Sequence, residues 1–241
     1  MNASFAKYIL ICLEILRREN FYGKLRILER NQYLSINDIK RIQRNKRNRL
    51  VEHVIENNDY YRNKYSGYDP VNRFDQIPIL TKHEIREHYN DMVTSKYHGR
   101  IDKIKTSGST GMPLKLFRDR EMFSYNLASV YRAHRWYDID IGCKEAMLWG
   151  IPVGLKNRLS IRLRDYFLNR FREKEFILDN MIMMDFYNKI VKRRPRYIYG
   201  YSSMVHEFAT FLKEQGIPGE SLNLKGVICT AEMVHDYQRN N

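Results

Sequence analysis

An alternation that begins after residue 118 constrains the fold most. Short apolar runs (Glu145–Trp149, Glu175–Leu178, Arg196–Tyr199, Lys225–Cys229) are separated by longer stretches with helical spacing (Asp119–Trp136, Asn157–Phe171, Asn180–Arg194, Ser202–Gln215). Runs of that length read as strands and the longer stretches as helices. Pro195 stops the third helix and Gly216 closes the fourth, as residues unable or unwilling to continue a helix do. Strands joined through helices pair in parallel, because each needs a crossover to return to the same edge. The expected class is α/β with a largely parallel sheet. Upstream, Ile36, Ile39, Ile42, Leu50, Val51, Val54 and Ile55 recur at helical spacing, so residues 1–65 read as helical. Thr81, with Glu84 three residues on, reads as a capping box opening a helix that runs to about Tyr89. Two regions follow: a helical N-terminal region, 1–95, and an α/β domain, 96–241.

Composition narrows the partners. The 241 residues carry 42 Lys and Arg against 28 Asp and Glu, a net charge of +14, with 43% hydrophobic residues. That balance excludes a disordered chain and suits an anionic partner: nucleic acid, anionic lipid or a phosphorylated ligand. The apolar segment Tyr8–Leu16 contains Glu14 and is shorter than a membrane span requires. It also lacks the flanks of a signal peptide. Cys12, Cys143 and Cys229 are odd in number and far apart, without a C-x-x-C pair. They suggest neither a disulfide framework nor a zinc site, and a reducing cytoplasm fits. His83 and His88 are five apart and would not share a helix face, so no metal site is expected. The basic run Lys40–Arg49 reads as the solvated side of a helix. No nucleic-acid motif accompanies it or the second run, Lys189–Arg196, which argues against nucleic acid. Residues 156–174 interleave Lys156, Arg158, Arg162, Arg164, Arg170, Arg172 and Lys174 with Leu159, Leu163, Tyr166 and Phe167. This segment reads first as a helix packed on the sheet with a basic outer side. Peripheral contact with an anionic membrane is the alternative.

The segment that names a chemistry is Thr106-Ser107-Gly108-Ser109-Thr110-Gly111-Met112-Pro113-Leu114-Lys115. Two glycines let backbone approach a ligand closely. Backbone N–H groups and hydroxyls can donate to phosphate oxygens, and the lysine adds a cation. The flanks Ile101–Lys105 and Leu114–Phe117 look extended, so the loop should close a hairpin. It is not a Walker loop, which needs G-x-x-x-x-G-K-[ST] running into a helix. No general base or nucleophile stands out, and the catalytic residues stay unassigned.

The pattern T-S-G-[ST]-T-G-x-P-x-K resembles the phosphate-binding signature of the adenylate-forming superfamily, which includes the acyl-CoA synthetases. Further segments resemble the branch containing phenylacetate–CoA ligase, CapK-type capsular polysaccharide proteins and coenzyme F390 synthetase. These are Asp59-Tyr60-Tyr61-Arg62, Ile77-Pro78-Ile79-Leu80-Thr81-Lys82, Gly142 through Gly150, Gly200-Tyr201-Ser202-Ser203 and Val227-Ile228-Cys229-Thr230-Ala231-Glu232. The resemblance implies an ATP- and Mg²⁺-dependent ligase that joins a small carboxylate to AMP, with coenzyme A as acceptor in many members. It implies phosphate contacts from Thr106, Ser107, Gly108, Ser109, Thr110, Gly111 and Lys115. Adenine contacts would come from Thr230, Ala231 and Glu232, and an acyl pocket wall from Trp149, Gly150 and Tyr201. Two departures matter. Cys143 stands where the family commonly has Asp. The family's later segments, including a Tyr-Gly-x-[ST]-Glu stretch, the ribose-binding Asp and the mobile lid domain with its catalytic Lys, have no counterpart. The expectation is an N-terminal half, 96–241 being a partial nucleotide-binding domain. Such a half would be nearly inactive unless a partner chain supplies the rest. The alternative expectation is a basic, non-catalytic protein that binds nucleic acid or an anionic membrane.

Overall fold

The structure is a computed structural model. It describes residues 3–17, 20–94, 97, 99–106, 113–149, 155–173 and 179–239. The chain forms two compact units: Met1–Arg18 with Val130–Asn241, and Glu19–Ser129. The division read from element type, at residue 95, falls within the second of these.

The second unit holds α2 (Phe21–Asn31), α3 (Ile36–Asn57), α4 (Asp59–Lys64) and α5 (Lys82–Glu87). It also holds a hairpin of β1 (Ile101–Lys105) and β2 (Lys115–Asp119), and the start of α6 (Arg120–Arg135). Its helices begin where side chains can accept the unpaired first-turn N–H groups. Asn20, Ser35 and Asn58 cap α2, α3 and α4. The capping box at Thr81 and Glu84 is present in both directions. Lys64 pairs with Glu84, and that bond, with the Thr81 N–H, lowers the Glu84 carboxyl from 4.5 to about 2. Lys40, Arg41, Arg44, Lys46 and Arg49 are exposed along α3, as expected of a solvated face.

The first unit contains α1 (Ala3–Arg17), the end of α6, and then β3 (Glu145–Leu148), α7 (Leu155–Phe167), β4 (Arg170–Glu173) and α8 (Asn180–Arg193). It continues with β5 (Tyr197–Tyr201), α9 (Ser202–Glu214), β6 (Gly226–Thr230) and α10 (Asp236–Arg239). The four strands form one all-parallel sheet in the order β4-β3-β5-β6, so the expected α/β class is observed. Gly200 sits against Leu148 across β3 and β5; a Cβ there would lie 2.7 Å from the Leu148 carbonyl oxygen. Gly142, at φ +85°, lets α1 close in, since a Cβ would meet the Ala3 carbonyl oxygen at 2.3 Å.

One stretch differs from the sequence reading. The helix expected over Asn157–Phe171 ends at Phe167, and Asn169 adopts a left-handed φ of 54°. Asn tolerates that conformation and commonly stops helices there. The strand follows at once, Arg170–Glu173 pairing in register with Glu145–Leu148. The expected strand at 175–178 lies outside the described residues.

The two faces of the sheet differ in kind. Side chains alternate across a strand. Ala146, Leu148, Phe171 and Ile198 therefore share one face and pack with Met183, Phe186, Ile190, Met204, Phe208, Phe211 and Leu212 of α8 and α9. On the other face, Tyr197 donates its hydroxyl to Glu145 Oε2 at 2.8 Å, and Arg170 pairs with the same oxygen at 3.3 Å. Arg172 forks onto Asp165 of α7, with Nε–Oδ2 and NH2–Oδ1 both 2.6 Å. His134 packs edge-on to Tyr131, Tyr197 and Tyr199. Burial pushes the Tyr131 phenol up to about 12 and also raises that of Tyr197.

Candidate functional site

Two places hold the residues singled out from the sequence, one in each unit. The first is the neck of the hairpin. β1 and β2 pair antiparallel from Ile101↔Asp119 to Lys105↔Lys115, which are the strand flanks expected of the loop. Thr106 closes the neck twice: its N–H donates to the Leu114 carbonyl, and its Oγ1 accepts from the Leu114 N–H, both at 3.0 Å. With Oγ1 so held, the hydroxyl proton still has a direction in which to donate. Lys105 and Lys115 are directly opposed and both exposed. Like charges facing across a hairpin are unfavourable unless an anion lies between or near them. Lys105 was not singled out from the sequence; the hairpin register is what reveals it. Ser107, Gly108, Ser109, Thr110 and Gly111 lie outside the described residues. Below the neck the hairpin borders a groove of about 390 Å³ lined by Tyr61, Tyr89, Met92, Leu116, Phe117 and Lys115, among others.

The second place is the carboxyl end of the parallel sheet. The order β4-β3-β5-β6 means that the chain leaves β3 toward one side and returns to the other for β5. Such a reversal opens a crevice outside the carboxyl ends of the two strands, where open α/β sheets bind ligands. Trp149 follows β3 and Tyr201 ends β5; their rings stack at 4.4 Å, and Trp149 also stacks on Tyr199 at 5.9 Å. The two aromatic residues expected of the acyl pocket wall are thus side by side. Gly150 lies outside the described residues. Tyr199 was missed, although it is two residues before Tyr201 and so shares its face of the strand.

Thr230 ends β6 opposite Tyr201, and Ala231 follows with a left-handed φ of 65°, uncommon for a residue with a Cβ. That turn brings Glu232 back over the start of α9. Its Oε2 accepts the Ser203 N–H at 2.9 Å, and its carbonyl accepts the Ser202 hydroxyl at 3.2 Å. Tyr201, the N-cap residue of α9, offers no side-chain bond of its own. Glu232 therefore serves as a helix cap delivered from 29 residues away, placing negative charge at the positive end of the helix. Thr230, Ala231 and Glu232 occupy the same sheet end as Trp149 and Tyr201. Burial raises the thiol of Cys229, the residue just before them.

Among the described residues no group of three His, Cys, Asp or Glu side chains could hold a metal ion, and no helix is long and apolar enough to cross a membrane.

No known family profile matches the chain. Over 214 residues it is 22% identical to Protein CapK of Staphylococcus aureus, an alignment covering 85% of this chain and 47% of CapK. Its fold matches crystal structures of 2-hydroxyisobutyryl-CoA ligase. In the complex with 2-HIB-AMP and CoA the TM-score is 0.58 at 16% identity, over 83% of this chain and 44% of the ligase. In the postadenylation state with 2-HIB-AMP it is 0.58 at 15% identity, over 86% and 47%. The chain spans about half the length of the proteins it matches. The chain is thus similar in sequence to CapK, and it shares part of the fold of 2-hydroxyisobutyryl-CoA ligase, as the resemblance read from the sequence implied.

Proposed function

We propose that the chain carries the triphosphate-binding part of an ATP-dependent adenylate-forming ligase, which activates a small carboxylate as its acyl-AMP. Coenzyme A is the natural acceptor in this reading, since the structural neighbours were solved with CoA and an acyl-AMP. A place in polysaccharide assembly follows from the branch that the sequence resembles. The observation that carries the reading is the opposed pair Lys105 and Lys115 at the neck of a Ser/Thr/Gly loop. A triphosphate would relieve their repulsion and accept hydrogen bonds from the Thr106 hydroxyl and from loop N–H groups. Charge neutralisation of this kind is most of what phosphoryl and adenylyl transfer asks of a protein. With no carboxylate cluster among the described residues, Mg²⁺ would arrive bound to the phosphates, its usual mode. Trp149, Tyr199 and Tyr201 would supply an apolar wall for the acyl group, and Thr230, Ala231 and Glu232 would lie against the adenine.

Calorimetry with ATP and Mg²⁺ tests this. Saturable binding is expected, weakened about tenfold or more by Lys115→Ala and by Lys105→Ala, and abolished by Gly108→Val. Binding that ignores all three substitutions would sink the reading, as would no binding by a sample with native circular dichroism.

A further inference from the structure

α7 is amphipathic in the opposite sense from a helix that covers an apolar sheet. The sheet face beneath it is charged, so α7 turns the buried Asp165 inward, onto Arg172. Its apolar residues then point outward. Leu163, Tyr166 and Phe167, at i, i+3 and i+4, are 51%, 63% and 40% exposed. At 100° per residue, Arg162 and Arg164 fall on either flank of that stripe, and both are exposed. α1, which lies in contact with α7, repeats the arrangement. Ala6 and Glu14 are buried, and Lys7 pairs with Asp140 at 3.1 Å, while Phe5 and Tyr8 are 57% and 67% exposed. Phe5 and Tyr8 on α1 and Leu163, Tyr166 and Phe167 on its neighbour α7 are thus exposed, the α7 stripe flanked by Arg162 and Arg164.

We propose that the α1–α7 surface docks on an anionic lipid bilayer. Phe5, Tyr8, Leu163, Tyr166 and Phe167 would enter the boundary between headgroups and acyl chains, and Arg162 and Arg164 would meet lipid phosphates. Three observations favour a bilayer over a protein partner. Aromatic residues with leucine are the composition that the membrane interface selects. The rim is basic on both flanks of the stripe, complementary to anionic headgroups. A second copy of the chain would bring arginines against arginines around the stripe, which disfavours self-association. Lys156 and Arg158 add positive charge to the same helix in the sequence, within a chain of net charge +14.

The test is co-sedimentation of the whole chain with vesicles of phosphatidylcholine, with and without about a third phosphatidylglycerol. Partition is expected only onto the anionic vesicles, falling steeply as salt rises. Arg162→Gln and Arg164→Gln should each weaken it about fivefold. Leu163→Ser combined with Phe167→Ser should weaken it by about tenfold or more. Because these side chains are exposed, circular dichroism and melting temperature should not move. No partition at low salt, equal partition onto neutral vesicles, or partition untouched by the variants would each overturn the proposal. So would a concentration-dependent dimer that Leu163→Ser with Phe167→Ser dissolves.

Discussion

On one face of the parallel sheet, Ala146, Leu148, Phe171 and Ile198 meet Phe186, Ile190, Phe208 and Phe211. On the other, Glu145, Arg170, Arg172 and Tyr197 meet Asp165, Tyr131 and His134. The first face is held by burial of apolar area, which is non-directional and tolerates small shifts. The second depends on the ion pairs and hydrogen bonds of Glu145, Arg170, Arg172 and Tyr197, whose geometry must be kept because an unpaired buried charge is costly. The contrast has an outward consequence. α8 and α9, over the apolar face, turn Met183, Phe186, Ile190, Phe208 and Phe211 inward, whereas α7, over the charged face, sends its apolar stripe outward. It also lets each face be broken by a different kind of substitution.

The largest expected effect is on the apolar face. Phe186 is fully buried and touches both Phe171 and Phe208. Phe186→Ala should cost about 3–5 kcal/mol, the lost burial plus the cavity left behind, read from urea unfolding. On the charged face, Arg172→Met leaves Asp165 buried without its partner and should cost about 3 kcal/mol. Adding Asp165→Leu should recover most of that loss, since removing both charges of a buried pair is often close to neutral. If Arg172→Met were harmless, the second face would be held by packing after all, and the contrast would fall.

That contrast also explains what could be read from the sequence. Met183, Phe186 and Ile190 recur at helical spacing, so α8 was legible, as was α9 with its terminating Gly216. β4 was not. Arg170-Phe171-Arg172-Glu173 reads as more of the basic helix before it, because its charges find their partners only through the fold: Glu145 for Arg170, Asp165 for Arg172 and Lys189 for Glu173. Asn169 was the available stop signal. In the candidate site, the loop was legible because glycine and hydroxyl residues are a local pattern, and its flanks proved to be the hairpin strands. The opposed Lys105 needed the register. Glu232 was legible as a member of a motif, but its cap on α9 joins residues 29 apart, which no local pattern reports. Trp149 and Tyr201 were named from resemblance alone; their stacking follows from the adjacency of β3 and β5.

The smallest expected effect sharpens the comparison by pH. His134 is buried among the tyrosines of the charged face, and its Nδ1 has no hydrogen-bond partner. Burial holds its pKa below the ordinary 6.5. A histidine lowered in the folded state binds its proton more readily when unfolded. Its contribution is therefore fully present above pH 6.5 and is lost as pH falls from there toward the lowered folded value. The window just below pH 6.5 should therefore report His134. Unfolding by urea at pH 7.5 and 5.5 should show the chain weaker at the acid end. His134→Phe, which keeps a ring among the tyrosines without a titrating group, should flatten that slope. No histidine is among the buried residues of the apolar cluster, so Phe186→Ala should lower both values equally. A slope that survives His134→Phe would mean that the acid sensitivity lies elsewhere, and the charged face would lose its claim to be the pH-dependent side of the sheet.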